Sequence, residues 1–277
     1  MSERVRRAAG AVLAVALLLA SRPPAGRAPG DRAGRAVGGR QAAAHRVEQL
    51  RVKVLEVLPH DSKAFTEGLE MAGNTLYEST GLSGASSVRA GPPGRPPTAR
   101  VALPAPLFGE GITVLGRTLW QLTWRNRTAV ERDARTLAEL RRVPYPGDGW
   151  GMCFQRSAHR LVTSDGSARL TFRDPGTLAE KGEVAVTEGG RPVTGLNELE
   201  CADAALYANV LPTDRIVRID PATGAVTASI DASGLLRGDE AVPGSTLNGI
   251  AAVPGTDQFL VTGKFWPRMF RVVFVPA

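Results

Sequence analysis

This chain of 277 residues has no apolar run long enough for a comfortable membrane span: the stretch from Ala8 to Ala20 is 13 residues, against the about 20 that a helix needs. It has only two cysteines, Cys153 and Cys201, and they match no metal-ligand or redox spacing. Each sits in an apolar strand context and reads as a buried free thiol, with a disulfide in an oxidising compartment as the alternative. A long charged helix pattern is also missing, and 43% hydrophobic residues excludes a fibrous or wholly disordered chain. A basic excess is missing from most of the sequence. The formal net charge of +7 belongs to the first 46 residues, where nine arginines face Glu3 and Asp31. Residues 47–277 carry 25 basic and 25 acidic side chains, so no nucleic-acid partner is expected of them.

What is present begins with a leader. Arg4, Arg6 and Arg7 precede the apolar run, and Ala20 and Ser21 supply small residues for cleavage, so residues 1–21 read as an export signal, with an uncleaved signal anchor as the alternative. No cysteine directly follows, which argues against a lipoprotein. Residues 22–46 are rich in Arg, Gly, Ala and Pro and read as a flexible tether; 47–277 form the folded domain of an exported protein, secreted or held in the periplasm or cell envelope as a monomer.

With 31 glycines and 20 prolines, turns joining short strands are the first expectation. A repeat supports it. Leu76, Leu119, Leu161, Leu206 and Leu260 stand in similar strand-like segments, 43, 42, 45 and 54 residues apart. Five copies of that length predict an all-β, five-bladed β-propeller of four-stranded antiparallel blades. Asp133, Asp174 and Asp220 follow their leucines by 14, 13 and 14 residues and open turn-like runs that join outer strands. The last copy has only three strands, so Val47 to Leu58 is expected to supply the fourth and close the ring.

A third position keeps phase. Glu67, Glu110 and Asn197 each lie nine residues before their leucine, while Trp150 and Asn248 lie 11 and 12 before theirs. Equivalent positions at the start of innermost strands converge at one end of the channel. Two carboxylates, two asparagines and a tryptophan there predict a binding or catalytic site, in which the facing carboxylates repel and raise a pKa.

The segments Ala64-Phe-Thr-Glu-Gly-Leu, Leu76-Tyr-Glu-Ser-Thr-Gly-Leu, Phe108-Gly-Glu-Gly-Ile-Thr, Leu119-Trp-Gln-Leu-Thr-Trp124, Gly149-Trp-Gly, Leu196-Asn-Glu-Leu-Glu, Leu247-Asn-Gly-Ile-Ala and Val261-Thr-Gly-Lys-Phe-Trp-Pro run in order along the domain. Together they resemble the plant-type glutaminyl-peptide cyclotransferases shared by plants and bacteria. The resemblance implies closure of N-terminal glutamine of peptides or proteins into pyroglutamate, with release of ammonia and no cofactor or metal. It places the catalytic glutamate on Glu110, amide and amine contacts on Asn197 and Lys264, and pocket aromatics on Phe65, Phe108, Trp124 and Trp150. Glu67 stands where the family usually has glutamine, Leu211 where a tryptophan is usual, and Ser83 where a tyrosine is usual. Two other readings use the same residues. In one, Glu67, Glu110, Asn197 and Asn248 hold Ca²⁺ in a propeller lactonase or esterase. In the other, the domain is a non-catalytic propeller of the cell envelope that binds peptides.

Overall fold

Runs of Val, Ile, Thr and aromatic residues cut by Gly, Asp and Asn turns favour strands, and apart from one 3-10 turn at Arg156–Ala158 the elements are all strands. The computed structural model describes residues 46–277; the export signal expected over 1–21 and the tether expected over 22–46, Arg46 excepted, lie outside the described residues. Strand β1 (Glu48–Pro59) comes first. Strands β2 (Thr66–Ala72), β3 (Thr75–Thr80), β4 (Ser87–Gly91) and β5 (Ala99–Ala102) form one antiparallel sheet in that order. A second contains β6 (Gly109–Leu115), β7 (Thr118–Thr123), β8 (Thr128–Asp133) and β9 (Glu139–Pro144). A third contains β10 (Met152–Gln155), β11 (Arg160–Thr163), β12 (Arg169–Arg173) and β13 (Glu180–Ala185), followed by a small hairpin of β14 (Thr187–Glu188) and β15 (Arg191–Pro192).

The remaining strands are β16 (Leu196–Ala202), β17 (Ala205–Val210), β18 (Arg215–Ile219), β19 (Val226–Asp231), β20 (Thr246–Ala252), β21 (Phe259–Lys264) and β22 (Arg268–Pro276). With β1 they make an eight-stranded sheet in the order β16-β17-β18-β19-β1-β22-β21-β20. β1 runs antiparallel to β22 from Leu50 opposite Pro276 to Pro59 opposite Arg268, which supplies the fourth strand that the last copy lacks. It also pairs in parallel with β19, from Glu48 opposite Ala228 to Arg51 opposite Asp231, a contact the sequence pattern did not predict. The end strands of this sheet, β16 and β20, pack against each other, so it curls nearly shut. The first strands of the successive groups pack side by side in the cyclic order β2, β6, β10, β16, β20 and back to β2.

The five repeat leucines lie on β3, β7, β11, β17 and β21, and all are buried. Each is worth about 1.5–3 kcal/mol of burial free energy before ordering costs. They belong to apolar clusters between neighbouring groups of strands, such as Trp120, Leu122, Met152 and Leu161 between the second and third sheets. The phased aspartates do the turn work expected of them: Asp133 accepts from the N–H groups of Arg135 and Thr136, and Asp174 from those of Gly176 and Thr177.

The cysteines correct the expectation of free thiols. Cys153 on β10 and Cys201 on β16 form a disulfide, with Cα atoms 5.4 Å apart. The residues are 48 positions apart, yet β10 and β16 are adjacent first strands, which brings two thiols that looked separately buried face to face. Closing a loop of that length contributes about 4 kcal/mol in the chain-entropy account.

Candidate active site

At the start of four of the five first strands, β2, β6, β16 and β20, the pairing breaks, whereas β10 pairs with β11 without a shift. Register shifts fall between Thr66 and Gly68, Gly109 and Ile112, Leu196 and Leu199, and Leu247 and Ile250. These irregularities coincide with Glu67, Glu110, Asn197 and Asn248. A bulged residue leaves the ladder and its side chain is re-aimed, so four phased side chains leave the pleat alternation at equivalent places. Trp150 lies just before β10. The residue after the phased position is glycine in four of the five copies because neighbouring first strands touch there. A Cβ on Gly151 would lie 2.1 Å from the carbonyl oxygen of Asn197, and one on Gly68 would lie 2.7 Å from the Ile112 nitrogen.

In the fourth copy Glu198 takes the place of that glycine. It is fully buried and bridges the ring: one carboxylate oxygen accepts from Leu69 N–H at 3.1 Å and the other from Ile250 N–H at 2.9 Å. Burial nevertheless holds its pKa well above the usual carboxylate range, against the effect of these two bonds. Glu198 ties β2, β16 and β20 together, a role that sequence reasoning missed; the only signal was the break in the glycine pattern.

Glu67 does not stand free. Both of its oxygens lie 2.8 Å from the Lys264 ammonium, and one also accepts from Asn248 Nδ2 at 3.2 Å. The same Asn248 nitrogen donates to Thr66 O at 2.9 Å. The Lys264 ammonium lies 4.5 Å from the Phe65 ring centroid, a cation–π contact. Lys264, expected as a donor, is therefore already paired, and the cation beside Glu67 is the protein's own. Among the described residues, no group of three or more His, Cys, Asp or Glu is arranged to hold a metal ion.

Glu110 is buried, and its carboxyl makes no hydrogen bond to another described residue. Its pKa is well above the usual value, chiefly through burial and then through the charge of Glu67; Lys264 opposes the rise and Asp148 adds to it. Burial also raises Glu67, against the pull of Lys264. The Oδ1 atoms of Asn197 and Asn248 are buried without a hydrogen-bond partner among the described residues.

Aromatic side chains form a row that begins at Phe65 beside Lys264. Phe65 and Phe108 meet edge to face at 6.0 Å, and Phe108 and Trp124 at 5.5 Å. Phe108 and Trp124 are fixed to one another by the Trp124 N–H to Phe108 O bond of 3.0 Å. Phe265, which was not singled out, extends the row, 5.0 Å from Phe65. Its position in the run after Lys264 was the available clue. The Trp150 ring lies over Gly166. Ser83 is exposed and donates to Pro106 O at 3.3 Å, while Leu211 packs against Gly195 through its backbone.

Comparison with known proteins adds three similarities. Residues 32–274 match the family model described as glutamine cyclotransferase. The chain is 37% identical over 248 residues to the glutaminyl-peptide cyclotransferase of Arabidopsis thaliana, covering 86% of this chain and 75% of that protein. The crystal structure of Myxococcus xanthus glutaminyl cyclase aligns with a TM-score of 0.79 at 36% identity, covering 84% of this chain and all of that one.

Proposed function

The chain belongs to the glutamine cyclotransferase family, and we propose that it closes an N-terminal glutaminyl residue into pyroglutamate with Glu110 as the proton shuttle. The observation that carries this assignment is the buried Glu110 carboxyl, without a hydrogen bond among the described residues and lifted in pKa by burial and the nearby Glu67, two residues after Phe108 of the aromatic row. The substrate's α-amine attacks its own γ-carboxamide carbon. One C–N bond forms, and a proton must pass from the attacking nitrogen to the departing one before ammonia leaves. A carboxyl with a raised pKa suits both halves of that transfer, as base and then as acid.

Phe65, Phe108, Trp124 and Trp150 wall the aliphatic part of the folded-back side chain, which solves the proximity problem. The Lys264 ammonium has three N–H donors, so while Glu67 holds it in place it keeps a donor for the γ-carbonyl oxygen. Asn197 supplies an amide to the same end of the substrate. Each such donor is worth about 2 to 4 kcal/mol as charge develops on the oxygen. The unpaired Asn248 Oδ1 suits an N–H of the substrate amine.

The four-strand sheets, the cyclic packing of first strands and the closing role of β1 support reading the all-β fold as a five-bladed propeller. The disulfide fits an exported protein that matures in an oxidising compartment. Incubating the purified chain with a Gln-initiated dipeptide tests the reaction directly: equal amounts of ammonia and pyroglutamyl product are expected, with turnover unchanged by a chelator. Failure to release ammonia would favour a peptide-binding role, and Ca²⁺-dependent turnover would favour the metal-dependent alternative.

Glu67 gives a sharper test. The charge of Glu67 raises the pKa of Glu110, and Glu67 also occupies Lys264, whose positive charge pulls that pKa down. Glu67→Gln removes the first effect and weakens the Lys264 pair, so both changes lower the Glu110 pKa. The base form of Glu110 then appears at lower pH, and the acidic limb of the kcat/KM profile moves down. Superimposable profiles for the wild type and variant, on one dipeptide at one salt concentration, would refute this coupling.

A further inference from the structure

A second buried charge cluster lies directly behind the site, and none of the steps above uses it. His60, in the segment between β1 and β2, has a side chain only 4% exposed. Its Nδ1 lies 2.7 Å from the Trp266 carbonyl oxygen and its Nε2 lies 3.1 Å from Glu78 Oε1. Glu78 also accepts from Thr66 Oγ1 at 2.7 Å and from Arg89 Nε at 2.8 Å. Arg89 in turn reaches Asp61 at 2.8 Å. A backbone carbonyl can only accept, and a carboxylate already taking bonds from a hydroxyl and a guanidinium can only accept. Both ring nitrogens of His60 must therefore donate, which requires the doubly protonated imidazolium.

One acceptor, the Trp266 carbonyl, lies in the segment that carries Lys264; the other, Glu78 on β3, reaches the segment that carries Glu67 through the bond it accepts from Thr66. Thr66 immediately precedes Glu67, and Trp266 closes the turn that holds Lys264 and Phe265. The backbone adds two stitches between the same segments: His60 N–H to Pro267 O at 2.9 Å, and Phe265 N–H to Ala64 O at 2.7 Å. We propose that His60 is a positioning residue for the cyclisation, its imidazolium clamping the Lys264–Phe265–Trp266 turn to the strand start that carries Glu67.

The electrostatics agree with the geometry. Burial disfavours charge on His60, but the Glu78 carboxylate, its hydrogen bond and the Trp266 carbonyl outweigh it, with Arg89 opposing, and the pKa lies above the ordinary 6.5. Glu78, for which burial acts in the other direction, is nevertheless driven down to about 2 by His60, Arg89 and Thr66. The charged groups facing the ring are Glu78 from β3, Arg89 from β4 and Asp61 from its own segment. A cavity of about 340 Å³ bordered by His60, Glu78 and Arg89 gives protons access. With a raised folded pKa, the clamp is complete below the unfolded value and is lost as pH rises through the folded one, when one acceptor is left without a donor.

This proposal rests on the assignment of Glu67 and Lys264 to the site, and its test separates the two. In ¹H–¹⁵N spectra of the whole chain, the His60 ring should show two protonated nitrogens at pH 7 and titrate above 6.5; a single neutral tautomer at pH 7 overturns the clamp whatever the activity. His60→Gln, whose donors sit on a single uncharged nitrogen and cannot replace the separated Nδ1 and Nε2 donors, should lower kcat/KM on a Gln-initiated dipeptide about 10-fold. His60→Lys, which keeps a cationic donor, should recover part of that loss. In a Lys264→Met background the His60→Gln change should cost almost nothing further. Full additivity of the two losses, or a lower Tm with unchanged kcat/KM, would mean that His60 is only structural. If His60→Gln does not fold, the wild type decides: deprotonation of His60 that leaves kcat/KM unaltered also overturns the proposal. Absence of turnover by the wild type would count against the cyclase assignment and leave the ring titration to judge the clamp.

Discussion

Glu110→Gln is expected to leave the chain folded and to lower kcat on Gln-initiated dipeptides by at least about 100-fold. The amide has the size and shape of the carboxyl it replaces, so packing at the start of β6 is preserved. What it lacks is a proton it can exchange near neutrality. Stability should move in the opposite direction to activity. The Glu110 carboxyl is raised in pKa mainly by burial, so the folded state resists its ionisation. Such a group contributes stability that is complete below its unfolded pKa of about 4.3 and is lost as pH rises through the folded value. The amide has no charge to bury, so above that pH the variant should have the higher Tm. Wild-type kcat in the variant would remove Glu110 from the chemistry. A lower Tm with the same fold would mean that its carboxylate is stabilised by contacts that the geometry does not show.

A chain beginning at Val47 should fold as the full chain does, whereas one beginning at Pro59 should not reach a cooperative folded state. β1 is mostly exposed, with Val54 and Val57 at 41% and 50%, and only Leu50 along it is fully buried. Its importance lies in the ladders. It pairs with β22 over most of its length and with β19 at its start, and without it the eight-stranded sheet separates into halves with two open edges. Each lost ladder bond costs about 0.5–1.5 kcal/mol net, and burial of Leu50 adds about 2 kcal/mol. Against a total of about 5–15 kcal/mol for a domain, that exceeds what the remainder can spare. Open edges would also favour aggregation. Thermal melts of the two truncated chains decide the matter, and an unchanged transition for the shorter one would show that β1 is an accessory strand.

The residues of the proposed site carry a signal along the chain. Glu67, Glu110, Trp150, Asn197 and Asn248 share one phase, and each stands at or just before the start of a first strand, because a repeat that builds one group of strands per copy puts equivalent residues at equivalent positions. The turns at Asp133 and Asp174 were legible for a local reason: an aspartate that accepts from the next two or three N–H groups needs only its immediate neighbours. The missing fourth strand beside β22 could also be counted, since a three-strand copy leaves one edge to fill.

The tertiary structure decided what depends on which copies become neighbours. Lys264 and Glu67 are 197 residues apart and carry no mutual signal along the chain, yet closure of the strand ring puts their charges in contact. The same closure lets Glu198 bridge β2 and β20 and sets His60 between Glu78 and Trp266, while the packing of β10 against β16 turns Cys153 and Cys201 from two buried thiols into a disulfide. Periodicity and turn chemistry are short-range and repeat, so the sequence by itself determined the strand groups and the common position of the phased residues. The pairing of charges and thiols is long-range and occurs once, so it was settled only where distant strands met, β2 against β21 for Glu67 and Lys264 and β10 against β16 for the cysteines.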